Sequence, residues 1–587
     1  MATPSPGVPL RALLVLVLGL PLLSLLVLHH RPAPLPPPLL THAQTQPAAA
    51  ASHRAEEVKA KVSSPSPFSS STKSPPPVIA PHEDEEEEEP TTLRHVVFGV
   101  ASSRRTLPLR LPLLRLWLRA PARAFLFLDA LPAPNAAAAA AAGDLPPGLR
   151  LRVSADASRF PYSHPRGLPS AVRVARIAKE LVAGLAKEDE DPPPPTPRWL
   201  VLADDDTAFV LPNLLHTLRR YDWREPWYLG ARSESAAQNA WHGFAMAYGG
   251  GGIAVSWPLA RRLARSLDSC IVRYPHLYGS DARIRACLAE LGVELTHEQG
   301  FHQIDLHGDI SGLLRGHPLS PLVSLHHLDN VYPLYPGMDR TRAMQHFYRA
   351  ANADPARILQ QTVCYDRSRS LTVSVAWGYS VQVFKGNVLL PDLLSVQKTF
   401  VPWKRGRNVT DVYMFDTKHY PRDECKRAAL FFLKTISSRD GKTETTYNRQ
   451  PSRKCSPDLI HMRNIRVIKV TSEQLHLVPG KALRRQCCDI VPSSSDNKMD
   501  VNIRKCEDDE LIAMHSYGTQ QLAIFIYKQK LAISSQHKRS DKSTDPTLFS
   551  NPLPSSTLPA FIWKGAKAPK HSSHQVLASP TIESSTL

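Results

Sequence analysis

Apolar and polar positions alternate along residues 93–340 in a way that predicts strands and helices in succession. His95-Val-Val-Phe-Gly-Val100 is a short apolar run that reads as a first strand. Leu113, Leu116 and Trp117 follow at helical spacing, and Ala124-Phe-Leu-Phe-Leu128 predicts a second strand ending on Asp129. Leu149 to Val153 predicts a third strand. Leu168, Val172, Ala175, Ala178, Val182 and Leu185 then keep one face of a helix. A Pro192–Pro195 loop leads into Trp199-Leu-Val-Leu-Ala, which reads as a buried strand. Leu211 to Arg220 is helical and Trp227 to Leu229 strand-like. Tyr248 begins a run of four glycines entering a strand at Ile253. Ser256 is placed to cap the next helix, with Pro258 in its first turn and Leu259, Leu263 and Leu267 on one face. Ser280 precedes a further helix with Ile284, Cys287, Leu288 and Leu291 facing inward. Strands alternating with helices imply an α/β domain on a mostly parallel sheet.

The pattern changes on either side. Ala12 to Leu28 is uncharged and almost wholly apolar, slightly short for a membrane span but within the lower range. A cleaved signal peptide and an uncleaved signal anchor are the two readings. The Pro-rich sequence that follows lacks a small-x-small cleavage site and favours the anchor, with residues 1–11 as a cytosolic tail. Residues 29–92, rich in Pro, Ala and Ser and ending in the acidic run Glu83–Glu89, read as a flexible stem. Seven consecutive alanines from Ala136 mark an expanded loop. After the α/β domain, Leu371–Lys385 alternates apolar and polar residues and predicts an antiparallel strand or hairpin. Residues 341–510 hold six of the eight cysteines and read as a disulfide-braced, β-rich extension. From 511 to 587 there is no periodicity, and a disordered tail is expected.

Composition adds two constraints. Lys plus Arg number 71 against 53 Asp plus Glu, a formal net charge of +18. No helical basic stripe or aromatic–basic alternation accompanies the excess, so a nucleic-acid partner is not expected. The cysteines are even in number and contain no CxxC pair, which favours disulfides in an oxidising lumen over zinc. Asn408-Val-Thr410 is a candidate glycosylation sequon.

The chemistry concentrates where the strand from Trp199 empties into Asp204, Asp205 and Asp206. Three like charges at a buried strand end are costly without a cation, and a divalent metal with oxygen ligands is the usual remedy. One helix cap would need only one carboxylate. The ends of strands in open α/β sheets are also where nucleotides bind. The glycine run, Gly250 and Gly251 included, allows close backbone approach but matches neither GxGxxG nor a Walker A lysine. Asp281 at a helix start is as well explained by the helix dipole as by catalysis. His302, His326 and His327 lie in loop-like sequence, and any of them is able to complete a metal shell.

Trp199-Leu-Val-Leu-Ala-Asp-Asp-Asp206 resembles the WF…DDD signature of Fringe-like β-1,3-glycosyltransferases. Gly249-Gly-Gly-Gly-Ile-Ala-Val-Ser256, Tyr278-Gly-Ser-Asp281 with Ala289-Glu-Leu-Gly292, and Gly300-Phe-His302 follow in the same order. The plant Fringe-related branch also resembles this chain at Pro165-Arg-Gly167, Ser324-Leu-His-His-Leu-Asp329 and Arg485-Gln-Cys-Cys488. The resemblance implies a GT-A-type fold over residues 93–340 and a type II Golgi membrane protein with a lumenal catalytic domain. It implies inverting transfer of a hexosyl group, β-1,3-linked, from a UDP-sugar to a glycan or glycoprotein, with Mn²⁺. Asp204 to Asp206 match the metal–nucleotide motif, Asp281 the catalytic base, and either His326 or His302 the remaining metal ligand. Gly251-Gly252 departs from the small residues of animal Fringe proteins, and the long extension is absent there. Two other readings stay open: a catalytically silent carbohydrate-binding or scaffold protein, and a secreted metal-dependent phosphate-ester hydrolase.

Overall fold

The computed structural model describes residues 89–131, 145–165, 167–168, 170–187, 194–404, 411–451, 464–493, 495 and 497–514, all within one compact unit. The apolar run 12–28, nearly all of the stem, the alanine run, the sequon, Cys455 and the tail beyond 514 lie outside these residues. Among the described residues no helix is long and apolar enough to cross a membrane.

Seven strands form the first sheet: β1 (Val96–Ala101), β2 (Arg123–Leu128), β3 (Leu149–Val153), β4 (Trp199–Asp204), β5 (Tyr228–Gly230), β6 (Ile253–Ser256) and β7 (Thr296–His297). Their order is β3-β2-β1-β4-β6-β5-β7. The four strands from β3 to β4 are mutually parallel. β6 runs antiparallel to β4 and to β5, and β7 lies parallel to β5. The sheet is mixed with a parallel centre, close to the expectation.

The two-residue period of β1 serves both sheet faces. Val96, Phe98 and Val100 join one core with Leu107, Leu111, Leu114 and Trp117 of helix α1 (Leu107–Trp117). Val97 and Ala101 join the other, under α2 (Ser170–Leu185), α5 (Trp257–Ile271) and α6 (Ser280–Glu290). Between them in the chain lie α3 (Leu211–Leu218) and α4 (Ala236–His242). Gly99 lets α2 press onto the sheet, since a Cβ there would lie 2.8 Å from Cγ2 of Ile177. A disulfide, Cys270–Cys287, ties α5 to α6. One local expectation is corrected. Ser256 precedes α5 with extended backbone, but its hydroxyl donates to the Glu225 carbonyl at 2.6 Å and accepts the Trp227 N–H at 3.0 Å. It anchors the approach to β5 and caps nothing.

The β-rich region follows helix α7 (Arg340–Ala353). Its strands are β8 (Gln361–Asp366), β9 (Leu371–Ala376), β10 (Ser380–Lys385), β11 (Ala429–Arg439), β12 (Lys442–Arg449), β13 (Val467–Glu473), β14 (Cys487–Val491) and β15 (Lys498–Arg504). They are ordered β8-β9-β10-β11-β12-β13-β15-β14, antiparallel except for β13 beside β15. Cys364 on one edge strand is bonded to Cys488 on the other, with Cα atoms 5.4 Å apart, so the sheet curls until its edges meet. Cys487–Cys506 fastens the end, and Cys425 is disulfide-bonded as well. The alternation in β9 and β10 does not mark a wet face. Thr372, Ser374 and Gln382 are buried under a hydrogen-bonded layer in which Gln361 reaches Ser374 at 3.0 Å and Gln382 reaches Gln397 at 2.9 Å.

The two regions share one apolar core, which runs from Phe98 and Trp117 through Phe347 to Val375, Ile468 and Val501. At its centre Phe209 packs edge-on to Trp117 and Phe98, with ring centroids 5.0 and 5.7 Å away. Its carbonyl accepts the Tyr348 hydroxyl of α7 at 2.9 Å. Phe209→Ala would leave a fully enclosed cavity at this junction. It should cost about 3–5 kcal/mol, read as a lowered denaturant midpoint with unchanged slope in guanidinium unfolding.

Candidate active site

The site begins where β4 stops. After Asp204 the chain turns, and the Thr207 N–H donates to the Asp204 carbonyl at 3.2 Å. The Thr207 hydroxyl accepts the Asp204 N–H at 3.1 Å and donates to the Gly250 carbonyl at 2.8 Å. The turn separates the three aspartates. Asp205 points back toward α1, accepting from the Ser102 hydroxyl at 2.6 Å and the Thr106 hydroxyl at 2.8 Å, with Arg110 Nε 3.3 Å away. Asp204 and Asp206 face the cleft.

A two-residue strand then supplies the third group. Ala208–Phe209 pairs antiparallel with Ser324–Leu325, Phe209 opposite Ser324 and Ala208 opposite Leu325. Carrying that register one step further sets His326 beside the aspartate turn. Its Nε2 lies 2.9 Å from Asp206 and 3.7 Å from Asp204, and one ligand atom from each of the three residues falls within 4.8 Å of the others. The other ring nitrogen, Nδ1, lies 3.2 Å from the Gln303 carbonyl, which leaves Nε2 to face the carboxylates. Two carboxylate oxygens and one imidazole nitrogen suit a divalent ion such as Mn²⁺. Cys487, Cys506 and Glu510 are the other such group among the described residues, and its sulfurs are tied in a disulfide.

His302 does not join the cluster. It is buried with Nδ1 3.0 Å from Glu234 and Nε2 3.0 Å from Nε2 of His317. Glu234 also accepts the Ile304 N–H at 2.7 Å, so this pair holds the loop that carries Gln303. His327, in a left-handed conformation with φ of 53°, turns to Asp305 at 3.2 Å.

The glycines have a structural use that spacing does not reveal. A Cβ at Gly250 would lie 2.1 Å from Cε1 of His326, and one at Gly249 would lie 2.7 Å from Oδ1 of Asp281. Gly251 donates its N–H to the Gln303 side chain at 2.8 Å. The run gives the His326 ring room at Gly250 and the Asp281 carboxylate room at Gly249, and Asp204, Gly249 and Asp281 line one small cavity. Asp281 sits in the first turn of α6, receiving the Ser280 hydroxyl at 3.0 Å and a hydrogen bond from the Gly249 backbone.

Arg110, one arginine among many along the chain, is a site residue that sequence patterns miss. It lies 3.3 Å from Asp205 and 3.5 Å from Asp206, and also pairs with Asp329. No local pattern marks it, because all three partners are remote in sequence.

The electrostatics show a pocket short of positive charge. Enclosure by protein and the neighbouring carboxylates raise the Asp204 pKa to about 7, against the pull of His326, although 43 % of its side-chain surface opens to the cleft. Burial would depress His326, but Asp206 and Asp204 outweigh it and raise its pKa to about 9. Asp206, despite its burial, is held below the usual carboxylate range by His326 and Arg110. Asp281 is raised, chiefly by burial.

Comparison with known proteins adds a direction. A family model described as a protein of unknown function, DUF604, matches residues 238–488, from α4 through Asp281 and His326 to the second sheet. The chain is 36% identical over 105 residues to the β-1,3-glucosyltransferases of Homo sapiens and Mus musculus. That stretch is 18% of this chain, which spans about a fifth of the length of these relatives (20%).

The close approach of His326 to Gly250 can be tested directly. Gly250→Ala must displace the His326 ring and should weaken Mn²⁺ binding at least about tenfold in calorimetry, an effect of ~1.4 kcal/mol. Gly184→Ala, in α2 with nothing within 4 Å of the added carbon, should leave that affinity unchanged.

Proposed function

We propose that this protein is a metal-dependent, inverting glycosyltransferase that moves a hexosyl group from a UDP-sugar to a glycan or glycoprotein hydroxyl, forming a β-1,3 linkage. The observation that carries the reading is the meeting of Asp204, Asp206 and His326 at the glycine run, with Asp281 against Gly249 of the same run and in one small cavity with Asp204. The similarity to β-1,3-glucosyltransferases supports it, as does the resemblance of its motifs to those of Fringe-related enzymes. In this reading the fold is of GT-A type and belongs with the plant Fringe-related branch. The apolar run 12–28 anchors a type II Golgi membrane protein, and the disulfides suit its lumen.

Asp204, Asp206 and His326 would hold the metal, which when bound offsets the charge on a departing diphosphate. Asp281 takes the proton from the acceptor hydroxyl as that oxygen attacks the anomeric carbon from the face opposite the diphosphate. Ser280 and the Gly249 N–H orient its carboxylate. Arg110 holds Asp205 and Asp206 apart from each other's repulsion without entering the reaction. Fixing both sugars in this cleft supplies much of the acceleration.

The test is UDP release from the full-length chain, offered a panel of UDP-sugars with Mn²⁺ or with EDTA. Release confined to one donor, abolished by EDTA and by Asp206→Ala, is expected. No release from folded protein would move the weight to a silent carbohydrate-binding protein. Asp281→Asn should lower transfer by about 10²–10⁴-fold while UDP affinity in Mn²⁺ stays near wild type; surviving activity would remove Asp281 from its role.

The pH dependence has a definite sign. A base whose pKa is raised by burial is a carboxylate only above that raised value. At saturating metal, kcat/KM should therefore fall on the acid side, with an apparent pKa above the ordinary aspartate value of about 3.9. A limb at or below that value would contradict the assignment.

A further inference from the structure

We infer that Trp241, at the end of α4, is the platform on which one pyranose ring of the acceptor glycan lies, on the indole face opposite the Lys404 ammonium and with Phe244 nearby in the chain. This rests on the transferase reading above. Trp241 is 72 % exposed, the one exposed tryptophan among the described residues, and Phe244 three residues on is 50 % exposed. Two large aromatic rings left in water this close together mark a surface that something covers.

Their position says what. On one side Lys404 Nζ lies 4.3 Å from the Trp241 ring centroid. The adjacent Trp403 stacks between His307, at 4.6 Å and 6°, and His327, at 4.4 Å and 12°. His327 in turn lies 3.8 Å, ring to ring, from His326 of the candidate metal cluster. On the other side His242, next to Trp241, packs on Tyr278 at 5.2 Å, and Tyr278 is three residues before Asp281. The exposed indole thus belongs to an arc of rings running from the metal side of the cleft to the candidate base.

The arc has the chemistry of a sugar site. A pyranose offers one face of C–H groups that lies flat on an aromatic ring, and a rim of hydroxyls for polar partners. His242 and His164, the latter edge-on to Tyr278 at 5.3 Å, supply such partners. The support is rigid. Asn239 donates to the Ser233 and Ser235 carbonyls at 2.7 and 3.0 Å and accepts the Ser233 N–H at 3.1 Å, so α4 is held from beneath. A platform already in place saves the ordering cost of binding.

Saturation-transfer NMR on the full-length chain, with methyl β-D-galactopyranoside, methyl β-D-glucopyranoside and methyl α-D-mannopyranoside as probes, tests this without turnover. At least one should show transfer concentrated on its ring hydrogens, reduced at least fivefold in Trp241→Ala and largely kept in Trp241→Phe. UDP affinity in Mn²⁺, measured on the same samples, should match wild type and shows that the variant is folded. In transfer assays Trp241→Ala should raise the acceptor KM about tenfold with kcat within about threefold. Equal glycoside signals in Trp241→Ala, no signal from any of the three, or a change of self-association in place of glycoside binding would overturn the platform. Glycoside signals that depend on Trp241, with no UDP release from any donor, would instead overturn the transferase reading and leave the platform standing.

Discussion

The structure is organised around a concentration of negative charge at the end of one buried strand. Asp204 and Asp206 share the cleft, with Asp281 against Gly249 and Asp205 beneath the turn. Two unit charges about 4 Å apart repel by roughly 4 kcal/mol even at an effective dielectric of about 20. Several features of the fold answer that repulsion. Arg110 comes from α1, Ser102 and Thr106 donate to Asp205, and His326 arrives from more than a hundred residues away. The raised pKa values of Asp204 and His326 are what remains: a proton held where more positive charge is wanted.

The glycines decide how closely the opposed groups approach. With side chains at Gly249 and Gly250, His326 and Asp281 would both be pushed outward. Their absence lets His326 and Asp281 both close on the same stretch of backbone. The same segment is fixed from below, because the Gly250 carbonyl accepts from Thr207 and the Gly251 N–H donates to Gln303. The glycine run thus takes its position from the aspartate turn and from the Gln303 loop.

Much of this arrangement is legible in the order of residues alone. The apolar runs of β1, β2 and β4 are long enough to declare themselves, and three aspartates at a strand end are hard to explain by capping. Ser256 misleads because a hydroxyl before a helix looks the same whether it caps or reaches the Glu225 carbonyl. The choice between His302 and His326 has no local signal at all. It is made by a two-residue strand pairing, Ala208–Phe209 with Ser324–Leu325, too short to leave a pattern. The polar face of β9 and β10 is covered by Gln361 and Gln397, from outside the hairpin.

The β-rich region cannot be treated as an appendage to the site. Phe400–Pro402 pairs antiparallel with Leu306–Gly308, and that pairing delivers Trp403 between His307 and His327. Val396–Gln397 lies beside Thr417–Lys418, and Tyr413 forms a bridge to Ser235 at the start of α4. These segments are therefore built into the neighbourhood of His327 and α4. Beneath them Tyr348 fixes the Phe209 carbonyl, and Phe209 is three residues from Asp206. The strand pairing that positions His326 thus rests on α7, whose Phe347 belongs to the core shared with β9, β10 and β13. Loosening the second sheet would be felt at the first through that core, because packed interiors transmit displacement and do not absorb it. One core, with the aspartate turn at one margin and the disulfide-closed sheet at the other, is the physical reason the extension accompanies this site.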